Sequence, residues 1–145
     1  MKTIVLTSWY FNPIHPGHIE CLQLCKELGD ELWVIVNNDY QAQLKTWSSA
    51  IFQDQAFRMQ VVNAIKGVDQ VFLAVDKDWS VCESIRVIAE EIRLKYWVET
   101  KIIFGKWGDR FTENIPEVSL CQELGIEIRD WLGMKIYNSS DFRNK

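Results

Sequence analysis

The chain has 145 residues, a net charge of −4, 48% apolar residues and 25% charged residues. That composition is globular, long enough for one domain (residues 1–145) with its own core, and it excludes a disordered chain. The acidic balance argues against nucleic acid as a partner, and no apolar run reaches the roughly 18 residues that cross a bilayer, so no membrane partner is expected either. Met1-Lys2-Thr3-Ile4-Val5-Leu6-Thr7 turns polar too soon for an export signal and reads as a buried strand, which makes the cytoplasm the expected compartment. Cys21, Cys25, Cys82 and Cys121 show no paired spacing, and buried thiols are expected of them. Some of the seven tryptophans stand in loop-like contexts, where aromatic faces meet ligands.

In chain order, apolar runs predict strands at Ile4–Leu6, Leu32–Val36, Val71–Val75, Ile102–Phe104 and Ile126–Ile128. The middle three are almost continuously apolar, as strands covered on both faces are. A first helix is predicted from about Gly17 to Leu28, with Ile19, Leu22, Cys25 and Leu28 on its inner stripe and Gly29 as its stop. A second covers about Asp54 to Lys66, with Phe57, Val61, Ala64 and Ile65 inward. A third starts at Ser80, where Ser80 and Glu83 have capping-box spacing, and runs through Ile85, Ile88, Ala89 and Ile92. A fourth begins near Pro116 and stops at Gly125. Strands alternating with helices of this length predict an α/β fold: a Rossmann-like, doubly wound sheet of about five parallel strands with helices on both faces. Ligands bind such sheets beyond the carboxyl ends of the strands, so chemistry is expected in the loops after the first, second, fourth and fifth strands.

The first of those loops, Ser8-Trp9-Tyr10-Phe11-Asn12-Pro13-Ile14-His15-Pro16-Gly17-His18, contains the only two histidines of the chain. Their spacing places both imidazoles on one side of a helix start, where amide donors and the helix dipole favour an anion. Two imidazole N–H groups there suit a polyphosphate, and Gly17 lets the backbone come close to it. A zinc pair and an incidental surface pair are the alternatives. Zinc wants three or four ligands, and no further histidine exists to complete a set.

Phe11-Asn12-Pro13-Ile14-His15-Pro16-Gly17-His18 resembles the HxGH signature of the nucleotidyltransferase α/β-phosphodiesterase superfamily. That family includes glycerol-3-phosphate cytidylyltransferases, heptose-phosphate adenylyltransferases and mononucleotide adenylyltransferases. The resemblance implies that His15 and His18 contact the triphosphate and stabilise the transition state, with Tyr10 and Phe11 beside the nucleotide. It implies that Lys45, in a loop after the second strand, acts as the catalytic lysine on the phosphates and contacts the substrate. Arg58 matches a helix arginine of relatives and reads as a structural ion-pair residue. Trp79 corresponds to a tryptophan of the cytidylyltransferases and is expected at the substrate, with a hydrophobic plug as the alternative. Gly105, Trp107, Gly108, Asp109 and Arg110 follow the fourth strand, where relatives hold the base and ribose, and Arg110 suits a phosphate or carboxylate of the substrate. Ser139 and Ser140 resemble the second family motif, whose hydroxyls and amides meet the β- and γ-phosphates.

The expected reaction is attack by a phosphate oxygen of a small phosphorylated acceptor on the α-phosphorus of CTP or ATP, with pyrophosphate leaving. Mg2+ is the expected cofactor, held mainly by the phosphates and by no dedicated protein ligands. A cytidylyltransferase of the glycerol-3-phosphate type is the favoured reading, and an adenylyltransferase acting on a sugar phosphate is the runner-up. Trp9-Tyr10 stands where relatives often have a small pair, and Asn12 where they usually have Asp. These departures define a further alternative, a nucleotide-binding protein of impaired catalysis. The resemblance also implies a homodimer.

Overall fold

A computed structural model describes residues 1–11, 14–45, 53–96, 99–107 and 116–132. Its strands are β1 (Lys2–Trp9), β2 (Glu31–Val36), β3 (Gln70–Leu73), β4 (Thr100–Trp107) and β5 (Glu127–Leu132). Its helices are α1 (Pro16–Glu27), α2 (Asp39–Lys45), α3 (Gln55–Asn63), α4 (Cys82–Lys95) and α5 (Pro116–Leu124). The strands pair in parallel in the order β3-β2-β1-β4-β5, the Rossmann-like α/β architecture the alternation predicts.

Alternation along β1 divides the core. Ile4 and Leu6 face one side with Trp33, Ile35, Ile102 and Phe104, where Ile85, Ile88, Ala89 and Ile92 of α4 and Leu120 and Cys121 of α5 cover them. Val5 faces the other side with Leu32, Val34 and Ile103, under Cys21, Leu22 and Cys25 of α1 and Val62 of α3. Both faces of the central strands are therefore dry, which explains their unbroken apolar runs.

The winding locates a crevice. From β1 the chain goes outward to β2 and β3, then crosses to β4 and β5 on the other flank. The order reverses at β1, so the carboxyl ends of β1 and β4 open the crevice. There the Thr7 hydroxyl donates to the Gly105 carbonyl at 2.7 Å, in a buried bond that fastens the two strand ends together.

Several local expectations are corrected. The inner stripe of α1 runs through His18, Cys21, Leu22 and Cys25, while Ile19 is exposed. The same one-residue slip of phase occurs on α3, where Arg58 and Val62 are buried and Phe57 is exposed. Periodicity alone missed both because the buried residue at each slip is polar, His18 or Arg58. Gly29 is not needed as a left-handed stop. A Cβ there would lie 2.9 Å from the Thr3 carbonyl oxygen and 2.9 Å from the Val5 side chain, so close approach of the α1–β2 turn to β1 requires glycine. Gly125, at φ +71°, does end α5 in the left-handed conformation. Val81, not Ser80, is the N-cap residue of α4. The Ser80 hydroxyl donates to Asp78 and accepts from the Cys82 amide at 3.4 Å, while the Asp76 carboxylate accepts from the Glu83 and Ser84 amides and supplies most of the cap. The third strand ends at Leu73, two residues earlier than expected, and Val75 is exposed.

Candidate active site

The sequence Ile14-His15-Pro16-Gly17-His18 starts α1 at the carboxyl end of β1, and its local chemistry is a reciprocal cap. His15 is the N-cap residue, with extended backbone at φ −143° and ψ 171°. Its Nδ1 accepts from the Gly17 amide at 3.0 Å, and its own amide donates to Nδ1 of His18 at 3.1 Å. Pro16, at the first helical position, has no amide hydrogen to satisfy. The pattern is a capping box in which histidines replace the usual hydroxyl and carboxylate residues.

Two consequences follow. Each imidazole spends Nδ1 as an acceptor, so the hydrogen of each neutral ring sits on Nε2. The first-turn amides are also engaged, since Gly17 donates to Nδ1 of His15 and His18 donates to the His15 carbonyl at 2.9 Å. The cap therefore uses the amides and both Nδ1 atoms and leaves over the two Nε2–H groups, that of His18 buried. The rings stack with centroids 3.9 Å apart and planes 29° from parallel, which confirms that the spacing places them together. Burial lowers the pKa of His15 below its usual range, favouring the neutral donor.

His18 is buried at 2% exposure, with aromatic rings on its flanks. Phe11 meets it edge-on at 5.1 Å between centroids, and Trp9 lies at 5.7 Å. Trp9 packs into the core on the α1 side of the sheet. Phe11, itself 2% exposed, has φ +54°, the left-handed conformation that costs a non-glycine residue roughly 1–2 kcal/mol. Such strain persists where surrounding contacts over-determine it.

One of those contacts comes from α3. The fully buried Arg58 guanidinium donates to the Tyr10 carbonyl at 2.7 Å, the Asn37 carbonyl at 2.7 Å and the Gln53 carbonyl at 2.9 Å. It also pairs with the Asp39 carboxylate at 2.7 Å. The expected ion pair exists, but the cation also ties the loop after β1 to the end of β2 and the start of α2. Beside it, the buried Gln41 amide donates to the Asp78 and Ser80 carbonyls and accepts from the Asn38 amide, joining α2 to the loop after β3. Sequence reasoning missed Gln41, Asp76 and the conformation of Phe11. The polar cluster Asn37-Asn38-Asp39 was the available signal for the first.

The remaining expected residues are distributed as follows. Lys45 is the last residue of α2, not part of a loop, and Trp107 is the last residue of β4. Gly105 lies within β4 opposite Thr7, and the β4–β5 register shifts between Gly105 and Trp107, so the strand continues where a loop was expected. Tyr10 lends its carbonyl to Arg58. Trp79 is 72% exposed in the turn after the edge strand β3, with β2 between that strand and β1, and it plugs nothing. Gly108, Asp109, Arg110, Ser139 and Ser140 lie outside the described residues, as does Asn12. Cys21, Cys25 and Cys121 are buried thiols, and burial pushes Cys121 up to about 12. No group of three or more His, Cys, Asp or Glu side chains among the described residues is arranged to hold a metal ion, and no described helix is long and apolar enough to cross a membrane.

The family model described as Cytidylyltransferase-like matches residues 10–144. The FAD synthase of Methanocorpusculum labreanum is 31% identical over 144 residues, spanning 97% of this chain and 91% of that protein. The FAD synthase of Methanosphaerula palustris is 33% identical across 76% of this chain and 80% of its own length. Among solved structures, the lipopolysaccharide core biosynthesis protein from Thermoplasma volcanium has a TM-score of 0.66 at 21% identity, covering 95% of this chain and all of that one, and shares the fold.

Proposed function

This chain belongs to the cytidylyltransferase-like family and is a nucleotidyltransferase, and on that premise we propose that it transfers AMP from ATP to the phosphate of a small phosphorylated acceptor, with FMN the first acceptor to test. The observation that carries the proposal is the stacked His15–His18 pair at the crevice, with both Nε2–H donors fixed by the cap. CTP was the nucleotide favoured by sequence. The preference moves to ATP because relatives matching most of the chain are named FAD synthases, and FAD is FMN joined to AMP.

In this reading an acceptor phosphate oxygen attacks the α-phosphorus of ATP. The bond from the α-phosphorus to the bridging oxygen breaks, and pyrophosphate leaves with that electron pair. No enzyme nucleophile takes part, so catalysis reduces to alignment and charge stabilisation. His15 and His18 donate from Nε2 to α- and β-phosphate oxygens, as neutral imidazoles. Lys45 neutralises charge developing on the pyrophosphate. The segment from Gly105 to Arg110 is assigned to the base and ribose, and Ser139 and Ser140 to the outer phosphates. Magnesium enters with the triphosphate as part of the substrate, and no step is assigned to protein ligands for it. Homodimer formation belongs to the same reading and is checked by light scattering.

The test is pyrophosphate release from ATP and from CTP, each with FMN, glycerol 3-phosphate and a panel of sugar phosphates. Release from ATP with FMN is expected. Release from CTP alone would return the assignment to a cytidylyltransferase, and none with any pair would refute the transfer reaction. His18→Ala is expected to lower turnover about a hundredfold, the scale of losing one preorganised donor to a transition-state oxyanion. Full turnover in a folded variant would remove His18 from the mechanism.

A further inference from the structure

Gly105 is the residue at which β4 parts from both of its neighbours. On one side it forms the final pair of the β1–β4 register, opposite Thr7. On the other side it pairs with Arg129 of β5, and the register then shifts before Trp107 meets Leu132. Irregularities of this kind bend a strand and re-aim the residues that follow, and they recur beside active sites. The chain from Gly105 onward is the segment that the proposed reaction assigns to the base and ribose.

Thr7 meets this departure point from β1. It is buried, and its hydroxyl donates to the Gly105 carbonyl at 2.7 Å, across 98 positions in sequence. It also lines one small cavity together with Phe11 and His18, so the same residue borders the start of α1. The chain beyond Thr7 runs into the loop of His15 and His18, while the chain beyond Gly105 runs into the base segment. Their connections leave toward opposite faces of the sheet, with α1 covering the Val5 side and α5 the Ile4 side. The two strand ends are therefore drawn apart, and a transverse bond at their last pair sets how far the walls of the crevice separate.

A nucleoside triphosphate bound across that crevice touches both walls at once, with its phosphates on the β1 side and its base on the β4 side. Two contacts on one rigid body bind more tightly than the same contacts on parts free to shift, because the second is made at a higher effective concentration.

We propose that Thr7 is a positioning residue whose hydroxyl, on the Gly105 carbonyl, holds the base-binding wall of the crevice in fixed relation to the histidine loop, so that one nucleotide engages both. The proposal rests on the reading that gives the phosphates to His15 and His18 and the base to the segment from Gly105.

The test compares Thr7→Val and Thr7→Ser in the full chain. Valine keeps the branched shape and suits a strand, and serine keeps the hydroxyl. Calorimetric titration with ATP and with inorganic tripolyphosphate, both with Mg2+, separates the two walls, because tripolyphosphate has no base. For Thr7→Val, affinity for ATP is expected to fall about tenfold and affinity for tripolyphosphate by less than about twofold. Thr7→Ser is expected to stay within about threefold of the native protein for both ligands. A second readout needs no ligand. Amide hydrogen exchange at Gly105 is expected to quicken about tenfold in Thr7→Val while that of Val62, in the core under α3, stays within about twofold, which separates a local release from a general loss of stability. Unchanged ATP affinity in Thr7→Val would overturn the proposal, and so would an equal loss for both ligands, which a merely weakened fold gives. A loss as large in Thr7→Ser would remove the hydroxyl as the agent. Were tripolyphosphate not to bind the native protein, the phosphate assignment of the proposed function would fail, while exchange at Gly105 would still decide whether Thr7 ties the walls together.

Discussion

Replacing Arg58 with methionine tests how much of the loop architecture depends on one buried cation. The side chain is fully buried and makes its contacts through Nε and both terminal nitrogens, three of them to backbone carbonyls from three separate segments. Methionine retains much of the stem and its packing, so the change chiefly removes hydrogen bonds. Breaking a buried ion pair by deleting one partner costs about 3–5 kcal/mol. Here the Asp39 carboxylate is 31% exposed and regains water, so the lower part of that range applies. The abandoned Tyr10 and Asn37 carbonyls keep the cost from falling much further, since each buried acceptor left unsatisfied is worth about 1–3 kcal/mol. The expected loss is about 3 kcal/mol, or roughly 6–12 °C in Tm for a domain near this size. Urea unfolding followed by tryptophan fluorescence measures it, with an unchanged slope showing that the states compared are the same. Asp39→Asn keeps an acceptor for the guanidinium but leaves its fully buried charge without a counter-charge, and is expected to cost on the order of 3 kcal/mol as well. A loss below about 1 kcal/mol for Arg58→Met would refute the reasoning, because three carbonyls cannot lose a charged donor so cheaply if they depend on it.

Three further outcomes separate the structure from simpler expectations. Asp76→Asn should destabilise α4 by about 1–2 kcal/mol, and Ser80→Ala by less than about 0.5 kcal/mol, because Asp76 accepts from the helix-start amides; the reverse order in thermal unfolding would restore Ser80 as the cap. Gly29→Ala should cost about 1–3 kcal/mol, since its Cβ would meet the Thr3 carbonyl oxygen at 2.9 Å, whereas Gly125→Ala has open space and costs only its backbone conformation, about 1 kcal/mol; denaturation midpoints rank the two. The His15 imidazole has a folded pKa lowered by burial, so the stability it contributes is present above the usual value of 6.5 and is lost as pH falls through the lower folded value. Urea titrations between pH 7.5 and 5 should show that loss in the native protein and a flatter profile in His15→Gln.

The fold was legible because its signals are redundant. Ile4–Leu6, Leu32–Val36 and Ile102–Phe104 could only be strands buried on both faces, and helices between parallel strands leave few arrangements. The lost details are those where a polar residue does apolar work. His18 and Arg58 sit on the buried stripes of α1 and α3, so a hydrophobic pattern placed each stripe one residue away. α2 was unreadable because its sequence, Asp39-Tyr40-Gln41-Ala42-Gln43-Leu44-Lys45, is short and mostly polar. It is held by the Gln41 amide and by Asp39 on Arg58 rather than by an apolar face. The placement of the two histidines was legible, since the sequence put them at the junction of the first strand and the first helix, and there they cap α1. The long-range supports were not, because the link from Arg58 to Tyr10 spans 48 positions in sequence and leaves no local pattern.

The spacing of the two histidines carries more information than their presence. A capping box requires an acceptor at the N-cap and another at the third helical position, which is the separation of His15 and His18. Serine and glutamate would satisfy the backbone equally well and leave no imidazole N–H behind. Histidine differs in having two nitrogens with opposite duties when neutral. The helix start takes Nδ1 of each ring as its acceptor, and the remaining nitrogen must then carry the hydrogen. One structural device therefore caps the helix and selects the tautomer of both donors. Protonation adds a hydrogen at Nδ1 and turns a cap acceptor into a donor facing an amide. At His15 the cap thus opposes the imidazolium, and burial adds to that opposition. In the proposed reaction, a phosphate chain held there would meet two N–H groups of fixed direction. That arrangement stabilises charge as it develops while avoiding the cost of packing two cations 3.9 Å apart.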